Sequence, residues 1–289
     1  MFHGNPVPFW AALILSVLFA QGCASFDPGE RTASYSLTPP AHTPLTDAGQ
    51  AALKDRESDA QSGFYLLDDG LSAFVARVAM IEQAQTSLDL QYYIFSNDTT
   101  GKIIISRLLE AADRGVRVRL LVDDLGTRVD NPLVAILHSH PNIEIRLFNP
   151  VKTRQGPLRL MEMAATFSRS NHRMHNKLML ADSLVMIAGG RNLADEYFSN
   201  TLVDFQDVDV LAAGPIVRDG TQSFDDYWNS RATLTVDRVL DADDADMSLE
   251  ALREFLRGFL AEQQDSEFVD AWSLSPSGLA TPIGQIPFS

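Results

Sequence analysis

The chain has 289 residues, of which 38 are acidic and 23 are basic, so its formal net charge is −15. Hydrophobic residues make up 45% of the chain and charged residues 21%, which excludes wholesale disorder and allows a substantial core. Eleven of the acids lie at residues 237–270, together with only three arginines. Because a polyanion binds a basic surface, this balance argues against nucleic acid as a partner.

Residues 1–23 are predicted to be an export signal. An apolar run at residues 9–20 is followed by Cys23, the only cysteine of the sequence. A membrane-spanning helix needs about 20 apolar residues, so the shorter run suits the apolar region of a signal peptide. The small residue and lone cysteine after it resemble a bacterial lipobox, in which the cysteine is lipidated. We therefore expect an exported lipoprotein anchored in the bacterial cell envelope. A simply cleaved signal peptide and an uncleaved anchor are the alternatives.

A folded domain is expected at residues 63–232. The stretch before it, residues 24–62, is rich in Ser, Thr, Pro, Ala and Gly and is predicted to be a flexible tether. Within the domain, helical spacing occurs at residues 71–84, 101–114 and 131–138, and strand patterns occur at residues 87–95, 116–122 and 143–148. This order predicts an α/β fold with a mixed, mainly parallel sheet flanked by helices.

Two further features of this domain suggest a function. Asp123 and Asp124 follow a predicted strand, at the edge where parallel sheets carry their functional residues. They suit a metal ion, but capping and turn formation are favoured. Residues 151–171 interleave basic and flexible apolar side chains, which suits an anionic lipid surface or a phosphate-bearing substrate. A loop and helix covering the core is an equal alternative for that stretch.

One segment, residues 173–192, carries the most specific chemistry. His175 and Lys177 are two residues apart in an extended stretch, so their side chains point to the same face. A phosphodiester is cleaved without metal where a nucleophile, a cation for the phosphoryl oxygens and an acid for the leaving alkoxide are brought together. A neutral imidazole is a competent nucleophile near neutral pH. Lys177 supplies the positive charge, and Asn192 supplies a neutral donor.

The full pattern of the segment is H-x-K-x4-D-x6-G-G-x-N. It resembles the signature of the phospholipase D superfamily. The surrounding stretches SLDLQYYIF, RGVRVRLLVDD, HPNIEIRLFNP and GGRNLADEYF resemble the amino-terminal half of bacterial cardiolipin synthases of the C type. This similarity covers residues 64–230, and it implies a single phospholipase D-like half-domain.

The resemblance implies a role for each residue of the pattern. His175 would form a covalent phosphohistidine, and Lys177 and Asn192 would hold the phosphate. Asp182 would support the motif from a turn. Asp207 stands where relatives carry a carboxylate that orients the histidine. The implied chemistry needs no cofactor and no metal ion.

The glycine-rich end of the pattern is predicted to bind substrate through Gly189, Gly190 and Arg191. Many relatives have serine at the position of Gly190, so backbone N–H groups would have to replace its hydroxyl here. The pair Gly189-Gly190 permits close backbone approach or an unusual dihedral angle.

Other polar and aromatic residues are expected to be structural. His138 and His140 form a metal-like pair but are placed in a loop, and His172 faces away from His175. Tyr92 and Tyr93 are expected to be core and rim residues rather than ligands. The pair Asp207 and Asp209 is suited to a divalent cation, but the implied chemistry does not use one.

The implied chemistry also needs a second motif, whose histidine protonates the leaving alcohol. The sequence after residue 192 contains no histidine; residues 233–289 comprise an acidic amphipathic helix, predicted at residues 249–260, and an uncharged tail. Three alternatives follow. The chain forms a homodimer, a second polypeptide supplies the other motif, or the chain is truncated and inactive.

The sequence thus predicts a phospholipase D-type phosphodiesterase or phosphatidyltransferase that acts on phospholipid head groups at a membrane. An exported endonuclease dimer with one motif per chain is the second hypothesis. A truncated, inactive lipid-binding remnant is the third.

Overall fold

The computed structural model describes residues 32–53, 58–127, 131–151, 172–198, 205–240 and 247–263. The described helices are α1 (Pro44–Leu53), α2 (Gly70–Gln83), α3 (Thr99–Asp113), α4 (Asn131–His138), α5 (Ile216–Trp228) and α6 (Leu249–Glu262). The described strands are β1 (Gly63–Leu67), β2 (Ser87–Tyr92), β3 (Arg117–Asp123), β4 (Ile143–Phe148), β5 (Leu178–Ala181), β6 (Val185–Gly189), β7 (Asp209–Ala213) and β8 (Thr233–Thr235). Short 3-10 helices lie at Asp195–Tyr197 and Val236–Arg238.

The strands form one mixed sheet in the order β1-β7-β6-β5-β2-β3-β4-β8. The predicted α/β fold, a mixed sheet flanked by helices, is confirmed. The expectation of a mainly parallel sheet is corrected, because only β2, β3 and β4 run parallel to one another and the other neighbours are antiparallel. Helices α3 and α4 provide the crossovers that parallel strands need. Three residues, by contrast, join β5 directly to β6.

Asp182 and Ser183 are the two central residues of the β5–β6 turn, in which the Leu184 N–H donates to the Ala181 carbonyl at 3.0 Å. Both residues adopt left-handed backbone conformations, with φ of 53° and 54°. Positive φ at both central residues is typical of the tight hairpin turn whose twist matches the flanking strands. The turn therefore makes β5 and β6 antiparallel and places the start of β5 beside the end of β6.

Two hydrophobic layers cover the sheet. The larger layer contains buried side chains of α2, α3, α4 and α6 against alternate residues of β2, β3 and β4, such as Leu90 and Leu120. The smaller layer lies on the opposite face, where Phe224 and Trp228 of α5 pack against a cluster that includes Leu178 and Leu180 of β5. Burial on both faces explains why β5 is continuously apolar.

The predicted flexible tether is wrong for the part that the structure describes. Helix α1 lies within it, and residues 32–37 bind along the domain as an extended strap. Ser36 donates from its backbone N–H to Asp225 and from its hydroxyl to Asp89, at 3.0 and 3.2 Å. The buried Arg119 guanidinium donates to the carbonyl of Ser34 at 2.9 Å. The strap is ordered because it supplies partners to charged groups that the sheet buries.

No helix in these described ranges is long and apolar enough to cross a membrane. The predicted export signal, Cys23, the basic stretch at residues 152–171 and the uncharged tail lie outside the described residues.

Candidate functional site

The candidate site lies at the edge of the sheet where β2, β3 and β4 end. Strand β5 runs antiparallel to β2, and its first residue, Leu178, pairs with Gln91 near the end of β2. The residues that precede β5, including His175 and Lys177, are therefore brought to this edge. The sheet itself places the H-x-K pair where α/β proteins carry their functional groups.

His175 and Lys177 contact each other directly. The Lys177 ammonium lies 2.9 Å from Nδ1 and 3.3 Å from Nε2 of the His175 ring, and 2.7 Å from the His175 carbonyl oxygen. The His175 side chain is exposed, whereas Lys177 is 6% exposed. Burial lowers the pKa of Lys177, and the negative charge of Asp207 opposes that shift. The pair thus presents an accessible imidazole beside a largely buried cation.

Tyr93 contacts both residues of this pair, and its place at the site was not predicted from the sequence. Its ring lies 5.0 Å from the His175 ring, measured between centroids, and the Lys177 ammonium lies 5.7 Å from its centroid. From the sequence, Tyr93 was expected only to be a core or rim residue. Its position directly after β2, at the carboxyl edge of the sheet, was the available signal.

Asn192 lies at the same edge, three residues after β6. It is 2% exposed, and its side-chain oxygen accepts a hydrogen bond from the backbone N–H of Ile94 at 2.9 Å. That bond orients the amide and leaves Nδ2 as the donor end, for which the described residues provide no hydrogen-bond acceptor. An oriented amide donor at the edge of the sheet that also carries Lys177 is suited to an anionic oxygen.

Gly189 and Gly190 allow neighbouring segments to pack closely, and their backbone N–H groups are not available to a ligand. The N–H of Gly189 donates to the Lys177 carbonyl at 3.3 Å, and that of Gly190 donates to the Val208 carbonyl at 3.1 Å. A Cβ on Gly189 would lie 2.1 Å from an Asp209 oxygen, and one on Gly190 would lie 2.3 Å from an Asp207 oxygen. The expectation that these N–H groups replace a serine hydroxyl is therefore corrected, because both already have acceptors within the protein.

Arg191 is also placed differently from the prediction. It is 2% exposed and donates to the carbonyls of Leu67 and Asp68 at 2.8 and 2.9 Å. Its backbone N–H and guanidinium also contact Asp209, whose carboxylate is 2.8 Å from the buried Arg77 guanidinium. Arg191 therefore holds the loop after β6 against the domain, and the prediction that it binds substrate is wrong for this structure.

Asp207 lies beside Gly190, close enough for its charge to affect Lys177. Between Asp207 and His175, both of which the structure describes, there is no hydrogen bond. The implied orienting contact is thus not made here. The neighbouring Asp209 forms ion pairs with Arg77 and Arg191. Asp207 and Asp209 therefore have different surroundings.

Asp182 lies at the opposite end of β5 from the His–Lys pair. Its carboxylate accepts hydrogen bonds from the backbone N–H groups of Gln85, Thr86 and Ser87 and from the Thr86 hydroxyl, at 2.8 to 3.1 Å. Lys177 and Asp182 are five positions apart along the extended chain, a span of about 16 Å. Asp182 therefore lies away from the His–Lys pair, and it holds the β5–β6 turn against the connection between α2 and β2.

The weaker candidates are structural. Asp123 forms an ion pair with Arg173 and accepts from the Met174 N–H at 3.1 Å, so it holds the chain that leads into His175. His138 accepts from the Ile145 N–H at 3.0 Å, and His140 contacts Asp113 at 3.1 Å. None of the His, Cys, Asp or Glu side chains in the described part of the chain form a group of three suited to a metal ion.

This fold and site define the class of protein to which the chain belongs. The family model for the cardiolipin synthase, phospholipase D-like domain matches residues 78–228, just over half of the chain. The chain belongs to this family.

Particular relatives agree with that assignment. The chain is 43% identical over 189 residues to cardiolipin synthase C of Escherichia coli K12, covering 65% of this chain and 40% of the relative. It is 40% identical over 227 residues to an uncharacterised protein of Helicobacter pylori J99, covering 78% of this chain and 45% of that protein. The chain thus spans less than half the length of these two relatives.

One solved structure that the chain matches is Nuc, a phospholipase D family member from Salmonella typhimurium. The two match at 18% identity with a TM-score of 0.42, covering 60% of this chain and 96% of that chain.

Proposed function

We propose that the chain is a phospholipase D-type phosphodiesterase or phosphatidyltransferase that acts on phospholipid head groups, as a cardiolipin synthase does. The observation that carries the proposal is the exposed His175 ring against the buried Lys177 ammonium, 2.9 Å apart at the functional edge of the sheet. Membership of the cardiolipin synthase family and 43% identity to a cardiolipin synthase support lipid rather than nucleic acid as substrate.

The reaction begins with nucleophilic attack by the neutral His175 ring. One ring nitrogen uses its lone pair to form a bond to phosphorus, and the bond between phosphorus and the alcohol oxygen breaks. The leaving oxygen carries away that electron pair and takes a proton from a general acid. Lys177, which donates to the ring in the free protein, turns to the phosphoryl oxygens. Nδ2 of Asn192 donates to the same oxygens as negative charge develops on them.

The second half of the cycle regenerates the histidine. An acceptor hydroxyl loses its proton to the group that protonated the leaving alcohol, and its oxygen attacks the phosphorus of phosphohistidine. The bond between phosphorus and nitrogen breaks, and the electron pair returns to the ring. Water as acceptor gives phosphatidic acid, whereas the glycerol hydroxyl of phosphatidylglycerol gives cardiolipin.

The general acid and base is proposed to come from a second motif. A histidine of a second copy of this chain, or of a second polypeptide, would supply it. Export of the chain and its tethering to the cell envelope through Cys23 are proposed with it, since they would place the site at a lipid surface. The supporting features are the apolar run before Cys23 and the mixed basic and apolar stretch after β4.

The direct test is turnover of phosphatidylglycerol vesicles by the purified chain, with release of glycerol and formation of cardiolipin or phosphatidic acid followed by mass spectrometry. We expect turnover that EDTA does not abolish and that His175→Ala reduces by at least about 10³-fold. An equally active His175→Ala variant would overturn the mechanism. Cleavage of DNA together with no lipid turnover would replace the proposed substrate by nucleic acid.

The origin of the second motif is tested by dilution. Wild-type chain is mixed with an equal amount of His175→Ala chain and left until subunits exchange. Subunits of a symmetric dimer pair at random, so a quarter of the dimers then contain two wild-type chains. If each site needs a histidine from both copies, the activity of the mixture falls to about a quarter of the activity of wild-type chain at the same total chain concentration. Activity of about one half means that each copy acts alone, and activity only with a co-expressed partner identifies a separate polypeptide.

A further inference from the structure

Helix α3 begins against a loop that is almost a hundred residues away in the sequence. The first two N–H groups of the helix, those of Thr99 and Thr100, donate to the Asp195 carboxylate at 3.3 and 2.7 Å. Such groups have no partner within a helix and need an external acceptor. Asp195 therefore serves as a cap that a distant segment supplies.

A second carboxylate makes this connection reciprocal. Asp98, the residue before α3, accepts from the Gly101 N–H at 3.0 Å and from the Asp195 backbone N–H at 2.9 Å. The two acids thus each bind the other's segment at the positive end of the helix dipole, where negative charge is stabilised.

The segment that Asp195 anchors carries Asn192. Between them, Leu193 donates from its N–H to the Ile94 carbonyl at 3.1 Å and accepts from the Ser96 N–H at 2.9 Å. Leu193 is fully buried, and it forms an isolated parallel bridge with Phe95. Asn192 then accepts from the Ile94 N–H. One continuous set of hydrogen bonds runs from the cap of α3 to the amide of Asn192.

We infer that Asp195 is a positioning residue for Asn192: it fixes the loop of residues 192–195 to the start of α3 and so holds the Asn192 amide with Nδ2 as the donor at the site. The role of Asn192 in catalysis rests on the proposed function. The anchoring of the loop rests on the contacts alone. Neither the H-x-K-x4-D-x6-G-G-x-N pattern nor the family match assigns a role to Asp195.

The first arm of the test needs no turnover. Amide hydrogen exchange is measured by NMR on the full chain and on Asp195→Ala. We expect the Ile94, Leu193 and Ser96 amides to exchange at least about ten-fold faster in the variant, because the loop opens locally. Asp69→Ala is the matched control, since Asp69 caps α2 by accepting from the Ser72 N–H at 2.8 Å and is not part of this loop. Unchanged exchange at Ile94 and Leu193 in Asp195→Ala would overturn the inference, whatever activity the chain has.

The second arm separates positioning from a merely structural cap. Asp195→Ala is expected to reduce kcat by about 10- to 100-fold with KM nearly unchanged, the scale of a misplaced catalytic group. Asp69→Ala should leave kcat within about two-fold. In an Asn192→Ala background, Asp195→Ala should add less than about two-fold, because two residues that act through one group are not additive. A full, independent loss in that background would contradict the inference.

Asp195→Asn keeps the shape and one acceptor oxygen, and it serves if the alanine variant fails to fold. It should retain the Thr100 contact and give a smaller loss of kcat, with faster exchange at the same amides. If the wild-type chain turns over neither lipid nor nucleic acid, either alone or with a co-expressed partner, the proposed function is wrong. The exchange arm alone then decides the role of Asp195.

Discussion

The two ends of strand β5 divide one short sequence motif into two kinds of function. At the start of the strand, His175 is exposed and contacts the Lys177 ammonium. At its end, Asp182 is 1% exposed and binds backbone N–H groups of the α2–β2 connection. The first end presents groups to solvent at the functional edge, and the second holds two elements of the fold together. A sequence motif therefore contains residues that stabilise the fold as well as residues that take part in the reaction.

Among the variants that test this difference between the two ends of β5, Lys177→Met is expected to have the largest effect. It keeps an aliphatic side chain and removes the charge. We expect kcat/KM to fall by about 10²- to 10³-fold, because one donor to developing phosphoryl charge is lost, with the melting temperature unchanged or raised. Steady-state kinetics and calorimetry measure the two quantities. A loss of stability with activity retained in the folded fraction would show that Lys177 belongs with Asp182 as a structural residue.

Asp182→Ala should give the opposite result. Removing an acceptor of several buried N–H groups should lower the free energy of unfolding by about 2 to 4 kcal/mol, with activity per folded molecule nearly unchanged. Urea denaturation gives the stability, and active-site titration gives the folded fraction. Ser183→Ala, in the same turn, is the control and should cost less than about 1 kcal/mol. Wild-type stability together with lost turnover would place Asp182 in the reaction after all.

Arg191→Met tests whether a residue near the site can be purely structural. Arg191 follows the glycine pair of the motif, but its guanidinium binds only groups within the protein. We expect the free energy of unfolding to fall by about 2 kcal/mol while KM stays within about two-fold of wild type. The loss is limited because Asp209 keeps its contact with Arg77. Lys102→Met, a change to a cation away from the site, controls for altered net charge. A large rise in KM at unchanged stability would restore Arg191 as a substrate ligand.

The smallest effect is a change in pH dependence from Asp207→Asn. The negative charge of Asp207 raises the pKa of Lys177 against the lowering caused by burial. Without that charge the pKa of Lys177 falls further, so the cation is lost at lower pH and the alkaline limb of the kcat/KM profile moves to lower pH. Asp226→Asn, on the far side of α5, should leave the limb in place. An unmoved limb in Asp207→Asn would show that Asp207 does not act on Lys177.

Periodicity predicted most of the elements that build the site. Helix α4 and strand β4 have the bounds expected from their apolar spacing, and α2, α3 and β3 lie within about two residues of the prediction. Strand directions were predicted less well. The β-α-β-α-β order correctly indicates parallel pairing for β2, β3 and β4, but the hairpin of β5 and β6 and the edge strands add antiparallel neighbours. Local patterns do not encode which distant strand pairs with which.

The site shows the same division. His175, Lys177 and Asn192 could be proposed from their types and spacing. Tyr93 could not be separated from an ordinary core residue, because an aromatic residue at the end of a strand is common in any core. Arg191 was misassigned because its guanidinium is an equally good donor to phosphate or to buried carbonyls. Only the burial of its side chain distinguishes the two.

By itself, the sequence determined the family, the H-x-K pair and the order of elements, because these depend on residue types and short spacings. The tertiary structure decided which of those residues face solvent and which are committed inside the protein. Asp182 meets Gln85 across a separation of 97 residues, and Asp195 meets Thr100 across 95. Such contacts form only when the sheet brings distant segments together. These contacts are selected because a buried polar group without a partner costs free energy, and no local pattern records which partner it finds.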